Sequence, residues 1–208
     1  MSRRGHDLRE HILYAAKNVF LEMGFERASM DVIAARAETS KRTLYAHFES
    51  KENLYLEIIE LIREMSLSKL KMPGEYSEDP AEALVLFCGR FLEGLLFTWT
   101  IRMCRMCIAE AERFPAGAAR YFDVIFSVPH ERLRAYLEEA FGLSEAASSE
   151  AAQELLSRLI HPRFSRALFG LDTLSEQLDE EISADFDLGP VREAVAELIA
   201  SLELPSLL

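Results

Sequence analysis

The sequence predicts an all-α chain in two parts, a small N-terminal three-helix unit and a larger helical remainder. Three observations carry this. Apolar residues recur at helical spacing through nearly all of the 208 residues, and no run alternates as a strand would. Gly and Pro together number 16, about 8% of the chain against a usual ~12%, which favours long helices over many short strands. The charge is divided by position: residues 1–52 hold nine Lys or Arg and eight Asp or Glu, a net +1, whereas residues 53–208 hold 14 and 27, a net −13.

Leu8, Ile12, Ala15, Ala16, Val19, Phe20 and Met23 set out a first helix over residues 7–23, with Asp7 to cap it and Gly24 to close it. Ser29 is an N-cap candidate for a short helix with Met30, Ile33, Ala34 and Ala37 on one side, and the pattern breaks at Glu38-Thr39. Ser40 then caps a second short helix, with Leu44 inward and Phe48 just past its end. Ser50 opens a long helix carried by Leu54, Ile58, Leu61, Ile62 and Met65 to about Lys71.

Met72-Pro73-Gly74 breaks the chain, and Asp79-Pro80 begins a helix with Leu84, Phe87, Phe91 and Leu95. The next helix spans about Ile101 to Phe114 and is stopped by Pro115. Residues 117–141 read as helix with a kink at Pro129, and Ser149 to Phe169 as a helix containing Pro162. Leu171 to Asp187 supports at most one short helix. Val191, Val195, Leu198, Ile199 and Leu202 stripe the last helix, with Pro190 in its first turn.

Composition removes several function classes. Taken whole, a net charge of −12 argues against a protein that coats nucleic acid or anionic lipid, but the acidity lies almost entirely after residue 52. Three cysteines, Cys88, Cys104 and Cys107, cannot form a disulfide scaffold and fit a reducing cytoplasm, the expected location. No signal peptide follows Met1-Ser2-Arg3-Arg4, and the most apolar stretch, Ala83 to Ile101, is interrupted by Arg90 and Glu93, so no membrane partner is expected. Cys104-Arg-Met-Cys107 has redox spacing but lies mid-helix, where core packing is the better account. His6, His11, His47, His130 and His161 form no ligand pattern, and no phosphate loop or Glu-x-x-His pair occurs. No metal, cofactor or catalytic group is therefore expected.

The two short helices at 30–37 and 41–47, with a longer helix on each side, make a helix-turn-helix. Packing of Ile33, Leu44 and Phe48 against the first helix leaves Lys41, Arg42, Thr43, Tyr45 and His47 on the exposed side of the second short helix. These side chains suit base edges and phosphates. Ser29, Ser40 and Ser50 place hydroxyls and free backbone N–H groups at three helix starts, and Lys51 adds a cation beside one of them.

At these residues the chain resembles a known family. Ser40-Lys41-Arg42-Thr43-Leu44-Tyr45-Ala46-His47-Phe48, followed by Ser50-Lys51-Glu52 and Leu54, is similar to the recognition segment of the tetracycline-repressor (TetR) family. Ile12 to Gly24-Phe25 and Ser29-Met30-Asp31-Val32-Ile33-Ala34 resemble its first two helices, so the likeness covers about residues 7–67. Ile108 to Pro115 is similar to one C-terminal subtype. The resemblance implies a homodimeric, ligand-responsive regulator, usually a repressor, acting on a near-palindromic double-stranded DNA operator. It implies that Ser29, Tyr45, His47 and Lys51 touch phosphates while Ser40, Lys41, Arg42 and Thr43 sit where bases are read. The chain departs from the family at the turn, where Glu38 and Thr39 replace the usual Gly and apolar residue. A left-handed conformation at position 38 would cost a non-Gly residue about 1 kcal/mol or more.

The implied organisation is a DNA-binding domain over 1–52 and a ligand-binding and dimerisation domain over 53–208. The second part holds ten of the 13 Phe and Trp99, which points to a small apolar or aromatic effector. The candidate pocket residues are Phe87, Phe91, Leu95, Trp99, Met103, Phe122, Phe126 and Phe164, and Arg90, Arg102 and Arg105 are candidate anchors for an anionic group. The last helix and the one near 149–169 are the candidate dimer contact. Two alternatives stay open: a helical enzyme, or an interaction protein with a non-functional helix-turn-helix.

Overall fold

A computed structural model describes residues 3–203, with the side chains of 7–65 and 68–202. Among them the regular structure is all helix, with no strand. The order is α1 (Arg3–Arg27), α2 (Met30–Arg36), α3 (Lys41–His47), α4 (Lys51–Lys69), a 3₁₀ turn (Pro73–Glu75), α5 (Pro80–Leu95), α6 (Thr98–Ala109), α7 (Pro115–Phe122), a π-helical turn (Asp123–Ser127), α8 (Val128–Phe141), α9 (Glu145–Ile160), α10 (Arg163–Leu168) and α11 (Gly189–Glu203). No single helix among the described residues is long and apolar enough to cross a membrane.

Residue contacts divide the chain into two compact units, Met1–Ser66 with Arg102–Tyr121, and Leu67–Ile101 with Phe122–Leu208. Residues 53–66 therefore pack with the N-terminal unit although the charge changes at 52. The reason is apolar: Leu54, Tyr55, Ile58 and Ile59 of α4 are fully enclosed, together with Ile12, Ala16, Val19 and Phe20 of α1. Burying such side chains contributes about 1.5–3 kcal/mol each, which outweighs any preference set by surface charge. Residues 102–121 add Met103, Cys104, Cys107 and Tyr121 to this core.

In the second unit α8 packs along α9, and α11 lies against α5 and α9. The stripes of α9 and α11 turn inward: Leu155, Leu156, Leu159, Val191, Val195 and Leu198 are all buried within the subunit. These are the side chains that the sequence offers for a dimer contact. What α9 and α11 leave half-buried is Ile160, Ile199 and Leu202.

Prolines redraw three boundaries. Pro115 does not merely stop a helix; α6 ends at Ala109, and Pro115 opens α7 at its first position, where a missing N–H costs nothing. Pro129 stands at the second position of α8, directly after a π-helical turn. The preceding π-helical turn widens the backbone to i→i+5 spacing, which relieves the clash of the proline ring with the carbonyl four residues earlier. Pro162 divides the helix expected over 149–169: His161 before it is extended (φ −93°, ψ 137°), as the proline ring demands, so α9 ends at Ile160 and α10 restarts at Arg163. The start of α9 is earlier than expected because Ser144, not Ser149, caps it.

The segment from Leu171 to Leu188 forms no regular helix. It is held across α5 by a buried ion pair, Arg90 with Glu93 at 2.8 Å. Arg90 also donates to the carbonyls of Asp179 and Glu181, and Glu93 accepts the Ser183 backbone N–H at 2.9 Å. Arg90 is thereby fully engaged in structure. Gly89 lies close beneath this strap: a Cβ there would stand 2.4 Å from Leu188 Cδ2 and 3.3 Å from Ile182 Cδ1, so those side-chain ends would have to shift.

Candidate functional site

The helix-turn-helix is built from capped short helices. The Ser29 hydroxyl accepts the Val32 N–H at 3.2 Å, Ser40 accepts the Thr43 N–H at 3.0 Å, and Ser50 accepts the Asn53 N–H at 3.0 Å. All three serines expected to cap do so, which satisfies N–H groups that the helices cannot pair internally. At the end of α2, Thr39 N donates to Ala34 O at 2.9 Å and Glu38 N to Ala35 O at 3.2 Å. This bond pair needs a left-handed residue between helix and turn, and Glu38 supplies it with φ 48°. The turn thus keeps the standard geometry despite a non-Gly residue. Ile33, Leu44 and Phe48 are buried and lock α3 onto the unit.

On the outer side of α3, Lys41, Arg42 and Tyr45 are exposed and Thr43 and His47 are half-buried. Among the described residues Arg42 has no ion-pair or hydrogen-bond partner. Lys41 is paired with Asp31 of α2 at 2.9 Å, and Thr43 Oγ1 lies 2.8 Å from Ser40 Oγ. At position 51 the ammonium is engaged within the chain. Lys51 Nζ donates to the carbonyls of Phe25 at 3.0 Å and Ala28 at 3.1 Å, and it lies 4.2 Å from the centre of the Phe25 ring. Two of its three N–H groups tie α4 to the α1–α2 connection.

Phe25 belongs to an aromatic cluster with Phe20, Tyr55 and Phe114, its ring centroid 4.9–5.6 Å from each of theirs. Arg113 bridges Glu26 at 2.6 Å and Glu52 at 3.1 Å while lying over Phe25. Beneath, Tyr55 Oη donates to Cys107 Sγ at 3.5 Å. Burial pushes the Cys104 thiol up to about 12 and the Cys107 thiol up to about 11, and both are free. Thiolate chemistry is disfavoured there, so the cysteine pair serves the core.

In the second unit the described residues form an open, solvent-accessible cavity of about 700 Å³ between α5, the end of α7, the π-helical turn, α8 and α9. Phe91, Phe122, Phe126, Val128, Leu156 and Ile160 form its apolar wall. Ser127, His130, Glu131, Gln153 and Ser157 form its polar wall. Of the pocket candidates, Phe91, Phe122 and Phe126 meet here, and Phe164 supports Phe126 edge-on at 5.7 Å. Phe87 and Leu95 are enclosed in the core instead, one turn to either side of Phe91 on the same face of α5. Met103 belongs to the core of the other unit, and Trp99 is half-buried outside the cavity lining. The polar lining residues were missed by aromatic content alone. Their signal is the 153, 156, 157, 160 spacing, one helical face of mixed polarity, beside a proline-interrupted helix.

A family profile described as bacterial regulatory proteins, tetR family, matches residues 12–58, and one described as AefR-like transcriptional repressor, C-terminal domain, matches residues 82–186. The second alone covers half of the chain. The chain belongs to the TetR family. A chain classed with the TetR regulators from Mesorhizobium loti MAFF303099 shares the fold with a TM-score of 0.77 at 22% identity, over 97% of this chain and 98% of that one. The flavonoid-responsive regulator FrrA has a TM-score of 0.71 at 27% identity, over 95% of both chains. The transcriptional activator FasR of Mycolicibacterium smegmatis is 45% identical over 64 residues, 28% of this chain and 29% of FasR. The chain thus spans less than a third of that relative's length. As a TetR-family chain it keeps the two-part design, with the helix-turn-helix in one unit and an aromatic-walled cavity in the other.

Proposed function

We propose that this TetR-family chain is a cytoplasmic, homodimeric repressor that leaves its DNA operator when a small apolar or aromatic effector binds. The exposed face of α3 carries this reading. Arg42 is unpaired among the described residues and adjoins Lys41 and Tyr45 on a helix whose start is capped and whose inner face is locked. Ser40, Lys41, Arg42 and Thr43 would read base edges, and Ser29, Tyr45 and His47 would hold phosphates. Lys51, expected on a phosphate, is assigned instead to positioning α4, since its ammonium is occupied by two carbonyls.

Two recognition helices spaced about 34–36 Å apart would enter successive major grooves of a near-palindromic site. The repressor sense is supported by the AefR-like repressor profile over 82–186, and the aromatic effector by the cavity and by the likeness to flavonoid-responsive FrrA. Dimerisation is assigned to α9 and α11, where Ile199 and Leu202 of α11 remain half-buried. Effector binding would favour a different subunit spacing and weaken DNA binding by the difference in its affinity for the two states.

The test is an anisotropy titration of the dimer on DNA from upstream of its own gene. Wild type binds it, and Arg42→Ala and Tyr45→Ala each weaken binding at least tenfold. Equal binding by both variants removes α3 from the interface.

A further inference from the structure

Resting on the assignment of the cavity as the effector site, we propose that its effector is an uncharged planar aromatic compound bearing hydroxyl groups, and that the cavity rejects carboxylates. The volume of about 700 Å³ lies in the range of small-molecule sites, roughly 300–1,000 Å³. The apolar wall favours a flat ring. Phe122 and Phe126 are 5.0 Å apart and inclined by 51°, and Phe126 is fixed from behind by Phe164 at 82°. Phe122 is 55% exposed, far more than a core aromatic, so a planar ligand laid on it removes apolar surface from water and adds ring–ring contact.

The polar wall offers acceptors. Gln153 Nε2 donates to Ser157 Oγ at 3.1 Å, which leaves the Gln153 carbonyl oxygen uncommitted among the described residues. The Ser127 hydroxyl donates to Asp123 at 3.0 Å, so its oxygen remains free to accept. His130 Nε2 faces the Ser149 carbonyl at 3.2 Å, and since a carbonyl only accepts, Nε2 donates there. Ligand hydroxyls supply the donors that this wall lacks.

Charge narrows the class. No Lys or Arg lines the cavity, and its one carboxylate, Glu131, is held by Arg134 through two bonds, which keeps Glu131 below the usual carboxylate range. A ligand anion would meet acceptors and, among the lining residues, no cation to pair with it. A ligand cation would have to compete with Arg134, which already engages both Glu131 carboxylate oxygens.

The test titrates the full-length dimer calorimetrically with three probes sharing one ring system: 2-naphthol, 2-methoxynaphthalene and 2-naphthoate. Binding is expected in the order naphthol, methoxynaphthalene, naphthoate, with naphthol at least tenfold tighter than naphthoate. Phe126→Ala should weaken naphthol about tenfold. Gln153→Leu, at an exposed position, should abolish the preference for naphthol over the methoxy probe. Naphthoate binding as tightly as naphthol, or naphthol indifferent to Phe126→Ala, overturns the proposal. Repeating the titration with operator DNA separates the two readings. Naphthol bound in the cavity with DNA retained sinks ligand release but upholds the ligand class. DNA released by naphthoate and not by naphthol sinks the ligand class but upholds ligand release.

Discussion

The Lys51 ammonium donates to the Phe25 carbonyl at 3.0 Å and stands 4.2 Å from the centre of that residue's ring. One side chain thus holds both the backbone and the ring of the residue that follows the break at Gly24 in α1. Lys51→Met keeps the stem and removes the charge. It should lower stability by about 1–2 kcal/mol, from two charge-assisted hydrogen bonds and a cation–π contact at a half-buried site. Urea denaturation measures this. The salt dependence of DNA binding should hardly change, whereas a slope flatter by about one unit with stability intact would put the ammonium on a phosphate.

Glu38 holds φ at 48°, a conformation in which glycine is unstrained. Glu38→Gly should stabilise the protein by about 0.5–1 kcal/mol, the relief of left-handed strain less the added freedom of the unfolded chain. A midpoint in urea that moves down rather than up would show that the Glu38 side chain contributes more than its strain costs.

Lys41 reaches DNA only by leaving Asp31, 2.9 Å away on α2. Asp31→Asn removes that competitor. Because an exposed pair is worth about 0.2–1 kcal/mol, operator affinity should rise roughly two- to fivefold at low salt. An unchanged affinity in anisotropy titrations would mean that Lys41 stays with α2 in the complex.

The Arg90–Glu93 pair lies beneath the 171–188 strap with both partners buried. Arg90→Leu strands a buried carboxylate and should cost about 3–5 kcal/mol, while Arg90→Leu with Glu93→Leu should cost much less. Limited proteolysis should cut the single variant within residues 171–188 before any other segment. A double variant as unstable as the single one would locate the cost in packing rather than charge.

Glu82 is held below the usual carboxylate range first by its hydrogen bonds to Arg192, at 2.6 and 2.9 Å. A carboxylate whose folded pKa is depressed stabilises the protein above its unfolded pKa, about 4.3, and that stability is lost as pH falls through the lower folded value. Arg192→Ala should therefore be slightly less stable than wild type at pH 7, solvent screening keeping the effect of so exposed a pair small. The two should converge as pH drops below about 4. A difference that persists at pH 3 would assign the effect to lost packing of the Arg192 stem.

The N-terminal elements were legible in the sequence because their signals are local. A capping serine, an apolar stripe and a terminating residue lie within one or two turns of each other, so Ser29, Ser40, Ser50 and Gly24 mark their boundaries directly. The left-handed residue at position 38 was legible too, from what the turn requires. Prolines 115, 129 and 162 were visible as interruptions, but the backbone's answer differed at each: a helix start, a π-helical turn and a break. A proline states what it forbids and leaves the remedy to its surroundings.

The cavity was legible only in part. Phe91, Phe122 and Phe126 were foreseeable as aromatics, whereas Phe87 and Leu95, on the same helix as Phe91, are enclosed. Which turn of an apolar helix face meets the core and which meets a cavity depends on the helices packed against it, here α8 and α9. The sequence by itself determined the helical class, the capped helix-turn-helix and the exposed cations of α3, because these follow from spacing along one chain segment. Only the tertiary structure decided that Lys51 holds carbonyls 23 and 26 residues away, that Arg90 supports a strap about 90 residues distant, and that residues of α5, α8 and α9 share one cavity. Those relations join segments far apart in sequence, and burial of apolar surface, which has no direction along the chain, selects among them.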